Sequence, residues 1–440
     1  MNKMSINKEF LQKNDLPFGD ILNQVQFKKI IEENVHWQES VYPPIVTLEA
    51  FIKQTLNPDQ SCKKAVADLC AKKATNGEKL SSFNTGPYCK ARKRLSENMI
   101  KELAFATGDS LNKHNLNRWK WRGQDVKLAD GTTFTMPDSP ENQAEYPQPD
   151  SQAEGCGYPM ARCVAVISLA VGTVLGAAIG QYAGKESGEH ALFRELLDLY
   201  NKGDILLADR YYCSYFLIAE LLKKGVNVIL QIHSSRKVDF RKGHKLSEKD
   251  HIVTWPKTAK GKWMTEKEYK SYPDTITIRE TEINGKIITS TFLDPEDMTK
   301  QDIKELFVKR WTIEVDLLYI KEVMKMDKLR CKTPSMVRKE IYTHLLAYNL
   351  IRIIMAQAAK VEKTSPRSIS FKGTIQIVTS FRHLILTVKG KQLKRIYRHM
   401  LYLIATDPVG IRPGRSEPRA VKTRNKKYEK LKKPRSEYKK

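Results

Sequence analysis

Residues 204–232 read DILLADRYYCSYFLIAELLKKGVNVILQI. Asp204–Ala208 is an apolar run of strand length. Ser214–Lys224 has helical apolar spacing and stops at Gly225, and Val226–Ile232 is a second strand. Strand, helix and strand in that order predict a βαβ unit with parallel strands. Upstream, residues 125–135 (DVKLADGTTFT) read as another strand. A polar, Pro-rich loop follows at 137–159, then two apolar strands at 162–171 and 174–182. Gly188–Tyr200 (GEHALFRELLDLY) has the spacing of an amphipathic helix. Residues 163–180 (CVAVISLAVGTVLGAAIG) approach the length of a membrane span. Gly172-Thr173 at their centre marks a tight turn instead, so two buried strands are expected there and no membrane segment.

The order is therefore strand, strand, strand, helix, strand, helix, strand. Antiparallel-compatible strands ahead of βαβ units give a mixed sheet with helices on its faces. That is the order of an RNase H-like core lacking only its last helix. Residues 234–290 interrupt it with a polar, Lys-rich stretch containing short β-like runs (His251–Trp255, Thr275–Ile283), and Ile287–Leu293 leads back. A long helix starts near Thr299, and 335–358 continue as a strongly apolar helix. The fold class expected is α/β: an RNase H-like mixed-sheet catalytic core with an inserted β-rich subdomain and an N-terminal helical domain. The boundaries are 1–120 for the helical N-terminal domain, 121–233 and 293–360 for the two parts of the core, 234–292 for the insertion, and 361–440 for a C-terminal helical region with a basic tail.

Within 22–120, Thr47–Leu56 and Cys62–Ala71 have helical spacing. Pro87 suits a helix start, and Tyr88–Leu95 (YCKARKRL) follows as a very basic helix. Ser96 reads as the N-cap of the next helix, through Leu111. Tyr88, Lys90, Arg92, Lys93 and Arg94 are candidate DNA contacts. The plainer alternative is a solvated basic face on an ordinary bundle.

The 440 residues carry 76 Lys plus Arg against 50 Asp plus Glu, a net charge of +26. Residues 411–440 hold thirteen basic and three acidic residues, so about +10 sits in the tail and about +16 in the body. A hydrophobic share of 41% excludes a disordered basic chain. Such a field favours polyanions, nucleic acid first. Seven cysteines (62, 70, 89, 156, 163, 213, 331) show no C-x-x-C and no metal-ligand spacing. They predict reduced, mostly buried thiols in a cytosolic protein. The N-terminal MNKMSINKEFLQKND has no apolar core, so secretion is not expected.

Asp130 lies within the first strand (KLADGTTF) and Asp209 ends the fourth (LLADRYY). A carboxylate after apolar β residues is expensive unless solvated, paired or metal-bound. In the helix predicted at 299–326, the spacing of Phe307, Arg310, Glu314 and Lys321 sets all four on one stripe. Leu306, Ile313, Leu317, Ile320 and Met324 form an adjacent apolar stripe. A solvated ion-pair row is the plainer reading of the polar stripe. Together, Asp130, Asp209 and Glu314 suit a two-metal phosphoryl-transfer site for Mg²⁺ or Mn²⁺, with Arg310 and Lys321 positioning a DNA phosphate. Arg210 is a further phosphate contact, or else pairs with a neighbouring acid.

The chain resembles the DDE transposases of bacterial insertion sequences, in the insertion-sequence-four branch. That branch has a Tyr-x2-Arg-x3-Glu-x6-Lys signature, and residues 307–321 read F-VK-R-WTI-E-VDLLYI-K. Asp-Gly-Thr at 130–132 and Asp-Arg at 209–210 fit as well. So do DGTTFTMPDSPENQAEYPQP, RCKTPSMVRKEIYTHLLAYNLIR and GRSEPRAVKTRNKKYEKLKKPR. The signature tyrosine is Phe307 here, which keeps a ring for packing near DNA and lacks the hydroxyl. The resemblance implies a transposase that binds terminal inverted repeats. Water would attack at the transposon end to free a 3′-hydroxyl, which then attacks target DNA. Two Mg²⁺ or Mn²⁺ ions would be held by Asp130, Asp209 and Glu314. The partners implied are double-stranded DNA ends and target DNA, with a dimer in a synaptic complex and a cytoplasmic, nucleoid-associated location.

Some relatives flip a base onto a tryptophan of the insertion, which makes Trp255 and Trp263 candidates by location; a packed Trp in a small β core is the alternative. His190 reads as a structural cap. Asp316, two residues from Glu314, faces elsewhere on the helix and is expected to be solvated. Tyr211-Tyr212 stack on DNA or pack under the site. The rival functions are an RNase H-like nuclease and a catalytically decayed DNA-binding protein. The large insertion and basic flanks argue against the first, and the intact acidic triad against the second.

Overall fold

Strands β1 (Val126–Thr135), β2 (Met160–Ser168), β3 (Val174–Gln181), β4 (Ile205–Ala208) and β5 (Asn227–Gln231) form one half of a nine-stranded sheet. The computed structural model describes residues 22, 25–34, 41–75, 77–79, 82–182, 188–410 and 431–438. The N-terminal stretch 1–15 and most of the basic tail lie outside the described residues. The strand order in this half is β3-β2-β1-β4-β5. Strands β1, β4 and β5 are parallel neighbours, and β2 and β3 form an antiparallel hairpin. This is the expected RNase H-like order. Gly172 (φ 79°) turns the hairpin, and no helix among the described residues is long and apolar enough to cross a membrane.

Local chemistry explains the βαβ unit. The Ser214 hydroxyl accepts from the Leu217 N–H at the start of the helix Tyr215–Lys223, and Gly225 (φ 71°) ends that helix in the left-handed region. Ile205, Leu206, Leu207, Val228, Ile229 and Leu230 are fully buried, as strands covered on both faces require. Lys127, a buried cation in β1, donates to Asp204 and to the Leu199 carbonyl. The predicted helix over Gly188–Tyr200 is shorter than expected. It spans Glu189–Arg194 and tightens into a 3₁₀ turn at Leu197–Leu199. Gly176 and Gly180 of β3 let it sit close: a Cβ at 176 would lie 2.3 Å from Leu199 Cδ1, and one at 180 would lie 2.9 Å from Leu192 Cδ2.

The insertion differs from expectation in one respect. It extends the core sheet and does not form a separate β body. Strand β9 (Lys286–Ser290) pairs antiparallel with β5. Strands β8 (Thr275–Ile283), β7 (Asp250–Pro256) and β6 (His244–Ser247) follow outward. Asn284 and Gly285, both at positive φ, turn β8 into β9. Charges buried here are paired, as burial demands. Arg279 donates to both oxygens of Asp250 at 2.9 and 2.6 Å, and Thr281 donates to the same carboxylate.

The chain divides into two compact units. One comprises 115–133 and 161–317, and so holds most of the sheet; the other comprises 1–114, 134–160 and 318–440. In the second, the helices Pro44–Leu56, Gly86–Arg94 and Glu97–Lys113 pack with the 28-residue helix Pro334–Val361. Ser96 caps Glu97–Lys113 as expected. Asn349 donates to the Ala104 carbonyl and Arg338 to Glu97. The helices Phe371–Thr387 and Gly390–Ala405 pack on the same long helix. The segments expected as separate N- and C-terminal domains thus share one unit. All seven cysteines are free; Cys163, Cys213 and Cys331 are buried and the other four half-buried.

Candidate active site

The register Ala129↔Ala208 is the last rung of the β1–β4 ladder. Asp130 and Asp209 are the next residues on each strand, and Asp209 keeps extended backbone. Parallel neighbours lie about 4.8 Å apart, so the two carboxylates leave the sheet side by side. Asp130 Oδ1 accepts from the Gly131 N–H at 2.8 Å, and Asp209 Oδ1 accepts from the Tyr211 N–H at 2.8 Å, capping a 3₁₀ turn. A carboxylate has about four acceptor positions, so each keeps capacity for a further partner.

Glu314 comes from the region predicted as one helix, and that helix is broken. The helix Lys300–Lys309 ends at Arg310, a second spans Thr312–Leu318, and a π-helical turn covers Tyr319–Val323. At the break, Arg310, Trp311 and Ile313 donate to the carbonyls three residues back, giving a short 3₁₀ stretch. These 3₁₀ and π turns interrupt the regular helix on which Phe307, Arg310, Glu314 and Lys321 were expected to share one stripe. Arg310 and Glu314 are brought together, with Nη1 donating to Oε1 at 3.2 Å. Phe307 is buried, with the Arg310 guanidinium 5.8 Å from its ring centre. Lys321 lies on the π turn and belongs to the other unit. Asp316 is 0% exposed, so the expectation of a solvated side chain is corrected: it turns into the protein.

Electrostatics tie these carboxylates to a fourth. Burial pushes the Asp130 carboxyl up to about 7; the Gly131 N–H opposes this, and the charges of Asp209, Glu189 and Glu314 add to it. Glu189 is itself raised, first by burial and also by Asp209, while Arg162 pulls it down. The sequence reading missed Glu189. Its only local signal was an acidic residue opening a helix after a glycine, which is ordinary helix-start chemistry.

The neighbouring aromatics divide. Tyr211 is exposed and its ring lies 4.8 Å from His190, while Tyr212 is buried against Phe193 at 5.1 Å. His190 is held low by burial. Arg210 is exposed. Trp255 is only 3% exposed, donates to Glu280 at 2.8 Å and lies under Arg236, so it is a packed residue and offers no face to a base. Trp263 is 46% exposed, with the Arg194 guanidinium 3.3 Å from its ring centre. Trp311, not singled out from the sequence, is 51% exposed beside Arg310.

In the other unit, the basic helix Gly86–Arg94 also divides. Tyr88 is 0% exposed and donates to Gln54; Arg92 is 9% exposed and donates to Gln54 and Cys62. Both are corrected from DNA contacts to core residues, because positions 88, 91, 92 and 95 form the inward stripe. Lys90, Lys93 and Arg94 are exposed.

As a donor set, carboxylates suit hard divalent cations such as Mg²⁺ or Mn²⁺. Among the described residues, no three His, Cys, Asp or Glu side chains converge tightly enough to enclose an ion as they stand. Like charges repel, so closing such a shell requires the cation's own charge.

The family described as Transposase DDE domain matches residues 121–350. The chain is 26% identical over 349 residues to Transposase InsG for insertion sequence element IS4 of Escherichia coli (strain K12), covering 77% of this chain and 76% of that protein. A cryo-EM structure of the piggyBac transposase synaptic complex with hairpin DNA aligns over 89% of this chain and 82% of its own, at TM-score 0.43 and 10% identity.

Proposed function

Since this chain belongs to the family of DDE transposases, we propose that Asp130, Asp209 and Glu314 bind two divalent cations, Mg²⁺ or Mn²⁺, for cleavage and strand transfer at the ends of its own insertion sequence. The observation that carries the reading is the register-matched pair Asp130 and Asp209, with Glu314 in the same electrostatic neighbourhood. Bound cations supply activation of the attacking oxygen and stabilisation of the leaving one. Asp130 and Asp209, fixed on adjacent strands, set the position of the site. Glu314 closes it from the helix, and Arg310 orients the phosphate by exchanging its Glu314 partner for a phosphate oxygen. Lys321, Arg210 and the exposed Lys90, Lys93 and Arg94 hold the DNA backbone. The enzyme acts in the bacterial cytoplasm on nucleoid DNA, as a dimer that brings two terminal inverted repeats and a target together.

The experiment is an assay with labelled terminal-repeat ends, a target plasmid and Mg²⁺. The proposal expects 3′ ends released and then joined to target. Hydrolysis with no joined product would favour a nuclease, and binding with no cleavage would favour a decayed DNA-binding protein.

A further inference from the structure

We infer that Glu189 is a fourth carboxylate of the metal site, binding a cation together with Asp130 and Asp209; the inference rests on the function proposed above. Glu189 opens the helix Glu189–Arg194, and its carboxylate lies directly on the backbone of Gly131, the residue after Asp130. A Cβ at residue 131 would lie 2.4 Å from Glu189 Cδ and 2.6 and 2.7 Å from its two oxygens. A side chain at residue 131 would therefore push the flexible end of Glu189 away from its place beside Asp130.

Charges of both signs act on Glu189. Arg162 of β2 attracts it and Asp209 repels it. A carboxylate serving only an ion pair with Arg162 gains nothing from the side that Asp209 occupies, since like charges disfavour each other. A cation between them reverses the sign of that interaction.

Tyr212 is the independent observation. Its side chain is fully buried, its hydroxyl has no hydrogen-bond partner, and Glu189, Asp130 and Asp209 all act on it electrostatically. Buried polar groups are nearly always bonded, and an unmet one calls for a reason such as a missing ion. A cation that draws the carboxylates together brings an acceptor oxygen to this waiting donor.

The test is Mn²⁺ titration of the full chain without DNA, followed by calorimetry and by the electron paramagnetic resonance of free Mn²⁺. Glu189→Gln keeps the shape of the side chain and removes its charge. It is expected to weaken Mn²⁺ binding about tenfold or more, with near-ultraviolet circular dichroism unchanged. Gly131→Ala is the second variant. It displaces the flexible end of Glu189 without removing it, and is expected to weaken binding in the same direction. Asp209→Asn and Asp130→Asn are run alongside. If these two weaken binding while Glu189→Gln and Gly131→Ala leave it at the wild-type level, the Glu189 assignment is overturned and the triad stands. If Asp130→Asn and Asp209→Asn leave Mn²⁺ binding unchanged, the reading of the triad itself fails.

Discussion

Arg310 donates to Glu314 at 3.2 Å across the point where the signature helix breaks. The pair is partly exposed and spaced i, i+4, a geometry worth about 0.3–0.5 kcal/mol. Arg310→Ala is therefore expected to change the urea midpoint very little. If the guanidinium moves to a phosphate oxygen during reaction, end cleavage should fall about 10- to 100-fold, the range for losing a charge-assisted bond. A drop in stability with an unchanged cleavage rate would assign Arg310 to helix structure alone.

Asp130 and Asp250 predict opposite responses to pH in the metal-free protein. Asp130 is raised to about 7, mainly by burial, from an ordinary 3.8. Between those values the folded chain keeps a proton that the unfolded chain has released. Stability from this group thus falls as pH rises from about 4 to about 7, by up to about 1.4 kcal/mol per unit. In chelator-treated protein, Asp130→Asn is expected to flatten the urea midpoint over that interval. An unchanged slope in the variant would contradict the assignment. Burial also pushes Asp250 up, but hydrogen bonds from Arg279 and Thr281 overcome it and hold the carboxyl low. Its contribution is present above the ordinary value and disappears as pH falls through the lowered one.

Arg279 and Asp250 are both almost fully buried. Arg279→Leu leaves Asp250 as an uncompensated charge between β7 and β8 and is expected to cost about 3–5 kcal/mol in thermal or urea unfolding. The double variant Arg279→Leu with Asp250→Leu should recover much of that deficit. A double variant as unstable as the single would point to the Arg279–Met298 carbonyl bond as the larger contribution.

The basic helix predicts two classes of variant. Lys90→Ala, Lys93→Ala and Arg94→Ala combined are expected to lower DNA affinity and reduce the salt slope by about 0.9 for each phosphate that these cations neutralise in the intact complex, with folding unaffected. Tyr88→Ala should instead destabilise the helical unit by about 3–5 kcal/mol, as expected for a fully buried aromatic. An unchanged salt slope in the triple variant would remove this helix from the DNA interface.

The parts of the fold legible from sequence were those specified locally. The apolar runs of β4 and β5, the Ser214 cap and the Gly225 stop lie within a few residues of what they determine. The proposed triad also draws on local signals: Asp130 and Asp209 interrupt apolar strands and Glu314 sits in a spaced motif. What the reading missed depends on distant pairing or helical phase. The β5–β9 pairing joins residues about sixty positions apart, and hydropathy is the same for a sheet extended or a sheet newly begun. The role proposed for Glu189 rests on its closeness to Gly131, which joins residues far apart in the chain. The composition of Tyr88–Leu95 says surface, while helical phase puts Tyr88 and Arg92 inside, and the phase of Asp316 also points inward.

The central claim is that Asp130, Asp209 and Glu314 act on DNA through bound metal. The most direct measurement is single-turnover cleavage of the native terminal-repeat end in Mg²⁺ by Asp209→Asn beside the unaltered protein. The account predicts a decrease of about a thousandfold or more, on the scale of several kcal/mol of metal-assisted stabilisation, with DNA affinity and circular dichroism retained. A cleavage rate within about tenfold of the unaltered protein would contradict it.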